Sequence, residues 1–336
     1  MRAVRWQANE TLELADLPEP TPEPGQAVVE IAACGICGSD LHTFAHGLLA
    51  HPGMVLGHEF AGTVLQAPGV DGLEPGQRVT ARALIPCGHC DACWAGDLHL
   101  CAGGAAQIIG YGFDGAFSER VLIPRAIVGE TVFALPDNVS DEGGALVEPL
   151  AVALRAVRRC GDVTGKTVLV LGAGMIGLGA TRFLKLAGAQ RIVVADLSAL
   201  RREAAIDMGA HAVVDPTSER PSDAVGRRAD VVLEAAGAAA TLSEALRAVR
   251  PGGIVTIAAV FGRKIEVPID RFTEKELDVR GSFAYRDEFP AVIEALASGD
   301  VDADTFISHR FSLADAGEAF RTQLDKDVSL KVLVTP

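Results

Sequence analysis

Four cysteines and two histidines lie close together in one short stretch of the chain. Tight turns at the intervening glycines could bring four thiolates to one tetrahedral zinc ion, with Zn–S bonds of about 2.3 Å. Four thiolates leave no open position for chemistry, so the pattern predicts a structural zinc over residues 86–102. Disulfides are the alternative, and seven cysteines in 336 residues are too sparse for a secreted disulfide framework. The expected zinc ligands are Cys87, Cys90, Cys93 and Cys101, and we expect His89 and His99 to face solvent.

A second set of possible metal ligands comes from three separate parts of the chain. Cys37 lies in the run Cys-Gly-Ser-Asp-Leu-His, His58 and Glu59 are adjacent, and Glu148 stands in Val-Glu-Pro-Leu. A catalytic zinc has about three protein ligands and one exchangeable position. These residue types suit such a site, although their spacing alone does not establish it. Cys34 and Cys37 could instead be a redox pair, but Cys34 ends an apolar run and is interpreted as a core residue.

A glycine-rich turn, Gly-Ala-Gly-Met-Ile-Gly, follows an apolar run at residues 172–177. Gly172 permits a tight turn, Gly174 lets the backbone approach a pyrophosphate, and Gly177 allows close helix packing. Asp196 ends the next apolar run, about 20 residues on, where a carboxylate accepts both ribose hydroxyls of NAD and repels the 2′-phosphate of NADP. The pattern therefore predicts NAD, the alternative being a turn that binds nothing. The residues assigned to this site are Gly172, Gly174, Met175, Ile176, Gly177, Asp196 and Arg201.

Two kinds of pattern must position these residues. Up to residue 135, short β-type runs alternate with Gly and Pro turns, which predicts a β-rich, barrel-like domain. Beyond residue 141, apolar runs alternate with helical stretches, which predicts a parallel, doubly wound α/β sheet. The last strand, near residues 330–334, is expected to return to the first domain. The strands expected in the α/β part are residues 167–171, 191–195, 212–214, 230–234, 253–258 and 277–281.

Composition limits the class of function. The chain is 49% hydrophobic and 22% charged, as in globular proteins, and its 336 residues suffice for about two domains. A net charge of −14 would repel nucleic acid or an acidic membrane, so a small molecule is the expected ligand. Since the N-terminal residues lack the apolar region of a signal peptide, we expect a cytoplasmic protein.

Taken in order, these motifs resemble the zinc-dependent medium-chain dehydrogenases over essentially the whole chain. A Glu directly after His58, and a Glu-Pro where simple alcohol dehydrogenases carry a Cys, resemble the branch with the sorbitol, threonine and 2,3-butanediol dehydrogenases. The resemblance implies a GroES-like catalytic domain at residues 1–146 and a Rossmann domain at 147–287. Residues 288–336 would return to the catalytic domain, and relatives imply a homodimer or homotetramer.

The resemblance also implies roles for the second set of ligands. Cys37, His58 and Glu59 would hold a catalytic zinc. Glu148 would be an alternating ligand, or would hold the zinc-bound water. Two zinc ions per chain, one catalytic and one structural, are therefore expected.

Further roles are implied for residues outside the zinc ligands. Ser39 would hydrogen-bond the reacting oxygen and pass its proton outward. His42 would relay that proton to solvent, the alternative being an ordinary surface residue of a helix. In the cofactor domain, Ala235 and Ala259 would lie near the riboses of NAD, and Phe283 near the nicotinamide ring.

Together these inferences predict an oxidoreductase that transfers a hydride between a secondary alcohol and NAD, giving the ketone. The zinc and the nicotinamide are expected to meet between the two domains, and the expected substrate is a polyol or vicinal diol. One alternative is a dedicated biosynthetic dehydrogenase of an aminocyclitol or other modified sugar. The other is a non-catalytic NAD-binding protein, against which the presence of Cys37, Ser39 and His58 argues.

Overall fold

A computed structural model describes residues 1–226 and 228–336. The strands it describes are, in chain order, β1 (Arg2–Ala8), β2 (Thr11–Asp16), β3 (Ala27–Gly35), β4 (Met54–Val55), β5 (Glu59–Gln66), β6 (Arg78–Ala81), β7 (Arg120–Ile123), β8 (Val132–Ala134), β9 (Thr167–Leu171), β10 (Arg191–Ala195), β11 (Ala212–Val214), β12 (Ala229–Glu234), β13 (Val249–Ile257), β14 (Asp278–Gly281), β15 (Ile307–Ser312) and β16 (Lys331–Thr335).

The α-helices follow the same chain order, and short 3₁₀ turns occur at residues 98–100, 104–107, 303–305 and 313–315. The helices are α1 (Gly38–His46), α2 (Asp91–Trp94), α3 (Asp141–Ala145), α4 (Val147–Arg159), α5 (Met175–Leu186), α6 (Ala199–Asp207), α7 (Pro221–Ala224), α8 (Ala239–Ala248), α9 (Asp270–Glu274), α10 (Phe289–Ser298) and α11 (Ala316–Leu324). Among the described residues, no helix is long and apolar enough to cross a lipid bilayer.

The chain divides into two compact units. The first unit comprises residues 1–149 and 286–336, and the second comprises residues 150–285. Both β15 and β16, near the end of the chain, therefore lie in the first unit.

The first unit is built on two β-sheets. The larger has the order β15-β16-β3-β5-β6-β8, with β7 also paired to β3, and the smaller has the order β2-β1-β4. Phe44, Phe117 and Phe320 are buried and pack together, with ring centroids 5.1 Å apart for Phe44–Phe320 and 5.3 Å for Phe117–Phe320. Strand register sets the position of Glu59, because Gly35 at the end of β3 pairs with it, and Leu333 of β16 pairs with Gly35.

The second unit contains a six-stranded parallel sheet of order β11-β10-β9-β12-β13-β14, with crossover helices between strands. This confirms the predicted doubly wound fold, whose ligands bind beyond the carboxyl ends of the strands. Those ends are in register: Leu171 of β9 pairs with Ala195 of β10 and with Glu234 of β12, Glu234 with Ile257 of β13, and Ile257 with Gly281 of β14.

Candidate functional site

The first unit brings Cys37, His58 and Glu59 together. One ligand atom from each lies within 4.8 Å of the others. Cys37 is the N-cap of α1, just beyond β3, while Glu59 is the first residue of β5 and His58 directly precedes it. Since β3 and β5 are neighbouring antiparallel strands, the sheet itself places the thiol beside the imidazole and the carboxylate.

Two glycines make room for this group. A Cβ at Gly35 would lie 2.3 Å from Glu59 Oε2, so a larger residue would displace the carboxylate. Gly57 has a φ of +97°, which favours glycine, and a Cβ there would lie 2.9 Å from both Cys34 Sγ and the backbone nitrogen of Phe117. Cys34 is fully buried, as predicted for a core residue.

Negative charge surrounds His58. Its Nδ1 lies 3.5 Å from Asp40 Oδ1, and Asp40 is fully buried. Burial alone would lower the pKa of His58, but the charges of Asp40 and Cys37 outweigh it and hold that pKa well above its usual value. These surroundings favour a positive charge beside His58, which a divalent cation can supply as well as a proton. The donor set of sulfur, nitrogen and oxygen also suits zinc, so the residues fit that metal.

Glu59 already has a cationic partner. Lys331 Nζ lies 2.6 Å from Glu59 Oε2 and 3.0 Å from Oε1, and it donates to the carbonyl of Ile36 at 2.8 Å. Both side chains are almost fully buried. Burial alone would lower the pKa of Lys331, but Glu59 and other negative groups raise it above its usual value. Any metal bound by Glu59 must therefore share the carboxylate with a buried ammonium group.

Glu148 lies in the first turn of α4 and is 7% exposed. It is not part of the three-residue group whose ligand atoms lie within 4.8 Å of one another. Burial raises its pKa from 4.5 to about 7, with His58 and Lys331 opposing that rise and Glu59 adding to it. The structure thus places Glu148 in the electrostatic field of this group, as a carboxyl that is partly protonated at neutral pH in the absence of metal.

Ser39 and His42 both lie on α1, directly after Cys37. Ser39 is half-buried, and its Oγ accepts a hydrogen bond of 2.7 Å from the hydroxyl of Tyr111. His42 is exposed, with its ring centroid 6.3 Å from that of His46. The structure therefore gives Ser39 a buried partner, while His42 faces solvent.

Three residues of this site, Asp40, Tyr111 and Lys331, were missed by the sequence analysis. Asp40 accepts from the backbone nitrogen of Cys37 at 2.9 Å through Oδ2 and faces His58 with Oδ1. Asp40 lies inside the motif already quoted, so its spacing could have suggested the cap. Tyr111 lies far away in sequence, and only the tertiary structure shows its contact with Ser39.

The four cysteines of the predicted zinc lobe also come together, with one sulfur of each within 4.8 Å of the others. Cys87 Sγ and Cys93 Sγ are 3.9 Å apart and are not bonded. A tetrahedral site with Zn–S bonds of about 2.3 Å has S–S edges of about 3.8 Å, which this separation matches. The geometry therefore fits a four-thiolate zinc.

Backbone groups in this lobe favour thiolates. Cys101 Sγ accepts from the backbone nitrogen of Cys87 at 3.3 Å, and Cys90 Sγ accepts from that of Ala102 at 3.5 Å. Such hydrogen bonds lower the pKa of Cys90 to about 6, while desolvation raises that of Cys93 to about 11.

The two histidines of the lobe differ in exposure. His89 is exposed as expected, but the prediction for His99 was wrong: a 3₁₀ turn directs it inward, and it is 5% exposed.

The predicted glycine turn connects β9 to α5 in the second unit. Gly172 has a φ of +97°, and a Cβ there would lie 2.9 Å from that of Ala236. A Cβ at Gly177 would lie 1.9 Å from the carbonyl oxygen of Gly172. At Gly174, the N-cap of α5, the nearest atom to a Cβ would be Arg201 Nη1, 3.9 Å away. The backbone is thus open where a pyrophosphate would approach, and the N–H groups of Met175 and Ile176 begin the helix.

Asp196 directly follows β10 and is half-buried. Its Oδ2 accepts from the backbone nitrogen of Ala173 at 2.6 Å, and its Oδ1 accepts from that of Ser198 at 2.9 Å. Each carboxylate oxygen has a second lone pair, so both can also accept from ribose hydroxyls. The same carboxylate therefore holds the glycine turn and offers acceptors at the edge of the sheet.

The remaining predicted cofactor residues lie at the same edge of the second unit. Ala235 follows β12, and its backbone nitrogen donates to the carbonyl of Leu171 at 2.8 Å. Ala259 follows β13, and Phe283 follows β14 and is 54% exposed. Buried Glu234 holds the turn after β12 by accepting from the backbone nitrogens of residues 236 and 237, at 3.0 and 2.8 Å. The sheet register thus places every predicted segment at the carboxyl ends of neighbouring strands.

Comparison with known proteins supplies independent information. The family described as alcohol dehydrogenase GroES-like domain matches residues 23–137, and the family described as zinc-binding dehydrogenase matches residues 176–298. Sorbitol dehydrogenase of Bacillus subtilis (strain 168) is 33% identical over 350 residues, covering 100% of this chain and 97% of that protein. (R,R)-Butanediol dehydrogenase of the same organism is 33% identical over 360 residues, covering 100% of both chains.

A solved structure is also similar over the whole chain. A protein of Sinorhizobium meliloti 1021 that is described as a putative zinc-binding dehydrogenase and is bound to NADP superposes with a TM-score of 0.92 at 34% identity. The match covers 100% of this chain and 99% of that one. Sequence and fold therefore lead to the same group of proteins.

Proposed function

The chain belongs to the zinc-dependent medium-chain dehydrogenases, in the branch with the sorbitol, butanediol and threonine dehydrogenases, and from this premise we propose that it oxidises a secondary alcohol with NAD. The expected substrate is a polyol or vicinal diol, and the product is the ketone. The observation that carries this proposal is the group of Cys37, His58 and Glu59, which presents sulfur, nitrogen and oxygen ligands within 4.8 Å of one another.

Zinc bound to these residues would supply Lewis-acid chemistry that makes an alcohol hydroxyl more acidic. Cys37, His58 and Glu59 would hold the metal, and Asp40, whose Oδ1 lies 3.5 Å from His58 Nδ1, would orient the imidazole ring, as carboxylates commonly do for metal-bound histidines. Ser39 would hydrogen-bond the substrate oxygen, and as it takes the substrate proton it would release its own hydroxyl proton. His42, exposed on the same helix, passes that proton to solvent.

Glu148 has a supporting role in this proposal. Its raised pKa shows that burial makes its charge costly unless a cation is near. It would therefore ionise fully once metal is bound, as a ligand that alternates with Glu59 or as an acceptor for a water molecule. The attachment of Glu59 to Lys331 supports such an alternation, because the ammonium group can hold Glu59 when it leaves the metal.

NAD is the proposed cofactor. Asp196 supports this choice, because a carboxylate at the edge of the ribose site would repel a 2′-phosphate. Arg201 lies close to the turn, and a similar dehydrogenase binds NADP, so the cofactor must be tested directly. If Asp196 favours NAD, kcat/KM measured with NAD should exceed kcat/KM measured with NADP. Asp196→Ala should bring these two values of kcat/KM closer together.

The experiment that tests the function combines activity with metal counting. Purified enzyme is assayed for NAD reduction against vicinal diols, polyols, amino sugars and simple primary alcohols, and its zinc content is measured. We expect the highest kcat/KM with a diol or polyol and two zinc ions per chain. Higher kcat/KM with primary alcohols would contradict the substrate class, and preference for an amino sugar would indicate a biosynthetic dehydrogenase.

We also propose that the chain forms a homodimer or homotetramer. Sedimentation equilibrium measures the mass of the assembly and so tests this proposal.

A further inference from the structure

Tyr111 lies in a tightly fixed loop beside the candidate zinc site. The loop is closed by hydrogen bonds from the backbone nitrogens of residues 111 and 112 to the carbonyl of Ile108, at 3.1 and 2.8 Å. Gly110 packs against the backbone of Gly57: a Cβ added at Gly110 would lie 3.1 Å from the carbonyl oxygen of Gly57. The loop is therefore held against the residue that precedes His58, which fixes the position of the tyrosine.

The side chain of Tyr111 points into the site. It is 8% exposed, and its ring centroid lies 5.3 Å from that of His58. Its hydroxyl donates to Ser39 Oγ at 2.7 Å and lies 3.3 Å from Asp40 Oδ1. Desolvation and the nearby charges of Asp40 and Cys37 raise the pKa of Tyr111 well above its usual value, so it remains a phenol and a hydrogen-bond donor.

The number of protons restricts what Ser39 can do. When Tyr111 donates to Ser39 Oγ, the serine proton is free to point to another acceptor. When Tyr111 turns to Asp40 Oδ1, Ser39 can donate to the phenol oxygen, and its own lone pair is then free to accept. Both arrangements use the same two protons and leave every group with its charge unchanged. Ser39 is half-buried, so its remaining hydrogen-bonding direction can face a substrate.

We propose that Tyr111 is a positioning residue for the reaction: its hydroxyl orients the hydroxyl of Ser39 towards the substrate oxygen and lets Ser39 change between donor and acceptor. An alcohol needs an acceptor at this place, and a ketone needs a donor. The two positions of the Tyr111 hydroxyl therefore match the two directions of the reaction. This inference rests on the proposed dehydrogenase function.

A double-mutant cycle tests this role in the zinc-loaded enzyme. Tyr111→Phe, Ser39→Ala and the double variant are compared with the wild type for kcat and KM with the best substrate of the panel. Losing one hydrogen bond in the site should lower kcat about tenfold in Tyr111→Phe. We expect KM to change less than about twofold, since orientation matters mainly during reaction. In the Ser39→Ala background, Tyr111→Phe should cause no further loss, because its effect passes through Ser39.

The control removes another buried hydroxyl from the same unit. Thr80 is fully buried on β6 and donates to the carbonyl of Phe60 at 2.9 Å. Thr80→Val should lower thermal stability without changing kcat. Zinc content and thermal stability are measured for all variants.

Several results would overturn the proposal. One is an unchanged kcat in Tyr111→Phe. Another is an equal loss of kcat on Tyr111→Phe in the wild-type and Ser39→Ala backgrounds, which would indicate that Tyr111 has a structural role. An inactive wild type would reject the dehydrogenase function and this inference together, whereas an active wild type with additive losses rejects only the role of Tyr111. If Tyr111→Phe does not fold, Tyr285→Phe protein is produced with 3-fluorotyrosine, so that Tyr111 is the one labelled tyrosine. The proposal then requires that labelling changes kcat when Ser39 is present and leaves kcat unchanged in the Ser39→Ala background.

Discussion

At the scale of single residues, the site combines three buried carboxylates, those of Asp40, Glu59 and Glu148, with the buried ammonium group of Lys331. Lys331 pairs with Glu59, and Glu148 carries a raised pKa nearby. A buried charge is stable only when it is paired, so each group depends on what occupies the site. This dependence makes the stability of the protein sensitive to metal.

Lys331→Met should destabilise the metal-free protein strongly. The substitution leaves the carboxylate of Glu59 buried without its partner, which costs about 3 to 5 kcal/mol. The cost should be smaller with zinc bound, because the metal replaces the lost positive charge. Urea unfolding with zinc and after chelation measures both values. Arg310→Met is the control, because Arg310 pairs with Glu142 and its side chain is 48% exposed. The loss of unfolding free energy in Arg310→Met should therefore not exceed about 1 kcal/mol, with zinc or after chelation.

Equal destabilisation of Lys331→Met with and without metal would contradict this account of the site. It would mean that Glu59 and the bound metal are not coupled. Lys331 would then be a purely structural anchor of β16.

The pH dependence of stability should report on Glu148. Its pKa rises from 4.5 to about 7 on folding, so the folded state binds the proton more tightly than the unfolded state. The resulting stabilisation is fully present below pH 4.5 and is lost as the pH rises through about 7, which amounts to about 3 kcal/mol. Chelated protein should therefore lose stability between pH 5 and pH 7.5, and Glu148→Gln should flatten this dependence.

Glu142→Gln is the matched control, because folding lowers the pKa of Glu142 whereas it raises the pKa of Glu148. Arg310 lowers the pKa of Glu142, so its stabilisation is present above the usual carboxyl pKa and is lost on acidification. If Glu148→Gln leaves the slope between pH 5 and pH 7.5 unchanged, burial of Glu148 does not control the pH response.

At the scale of elements, sequence pattern was most informative where strands are almost entirely apolar. The bounds of β9 and β10 were predicted correctly, because in each strand the last four of the five residues are apolar and buried. The small sheet of β1, β2 and β4 was missed, since β2 has no buried residue and its pattern does not distinguish it from a loop. All four cysteines of the lobe could be grouped by spacing, whereas the burial of His99 depends on the 3₁₀ turn at residues 98–100.

The four-cysteine lobe should be a stability element rather than a catalytic one. In Cys93→Ser one thiolate ligand is lost, so zinc should fall from two ions to one per chain. The loss should lower thermal stability and solubility, while the remaining folded enzyme keeps most of its kcat. Zinc counting together with kcat per folded molecule measures both effects. A complete loss of kcat in soluble, folded Cys93→Ser protein would refute this division of roles.

At the scale of the whole molecule, each unit carries one part of the chemistry. The first unit holds both candidate metal sites, and the second presents the glycine turn and Asp196 at the carboxyl edge of its parallel sheet. Motifs within one segment predict the four-cysteine lobe and the glycine turn, whereas the grouping of Cys37, His58 and Glu59 was predicted only through the family resemblance. The network of Ser39, Asp40 and Tyr111 could not be predicted, because it joins side chains about 70 residues apart that only the folded first unit brings together.

The most direct test of the central claim is the zinc content and activity of Cys37→Ser. If Cys37, His58 and Glu59 hold the metal that alcohol oxidation needs, zinc should fall from two ions to one per chain. NAD reduction should fall by at least about 100-fold, while the affinity for NAD, measured by fluorescence titration, stays unchanged. Retention of two zinc ions, or of wild-type NAD reduction, would contradict the account.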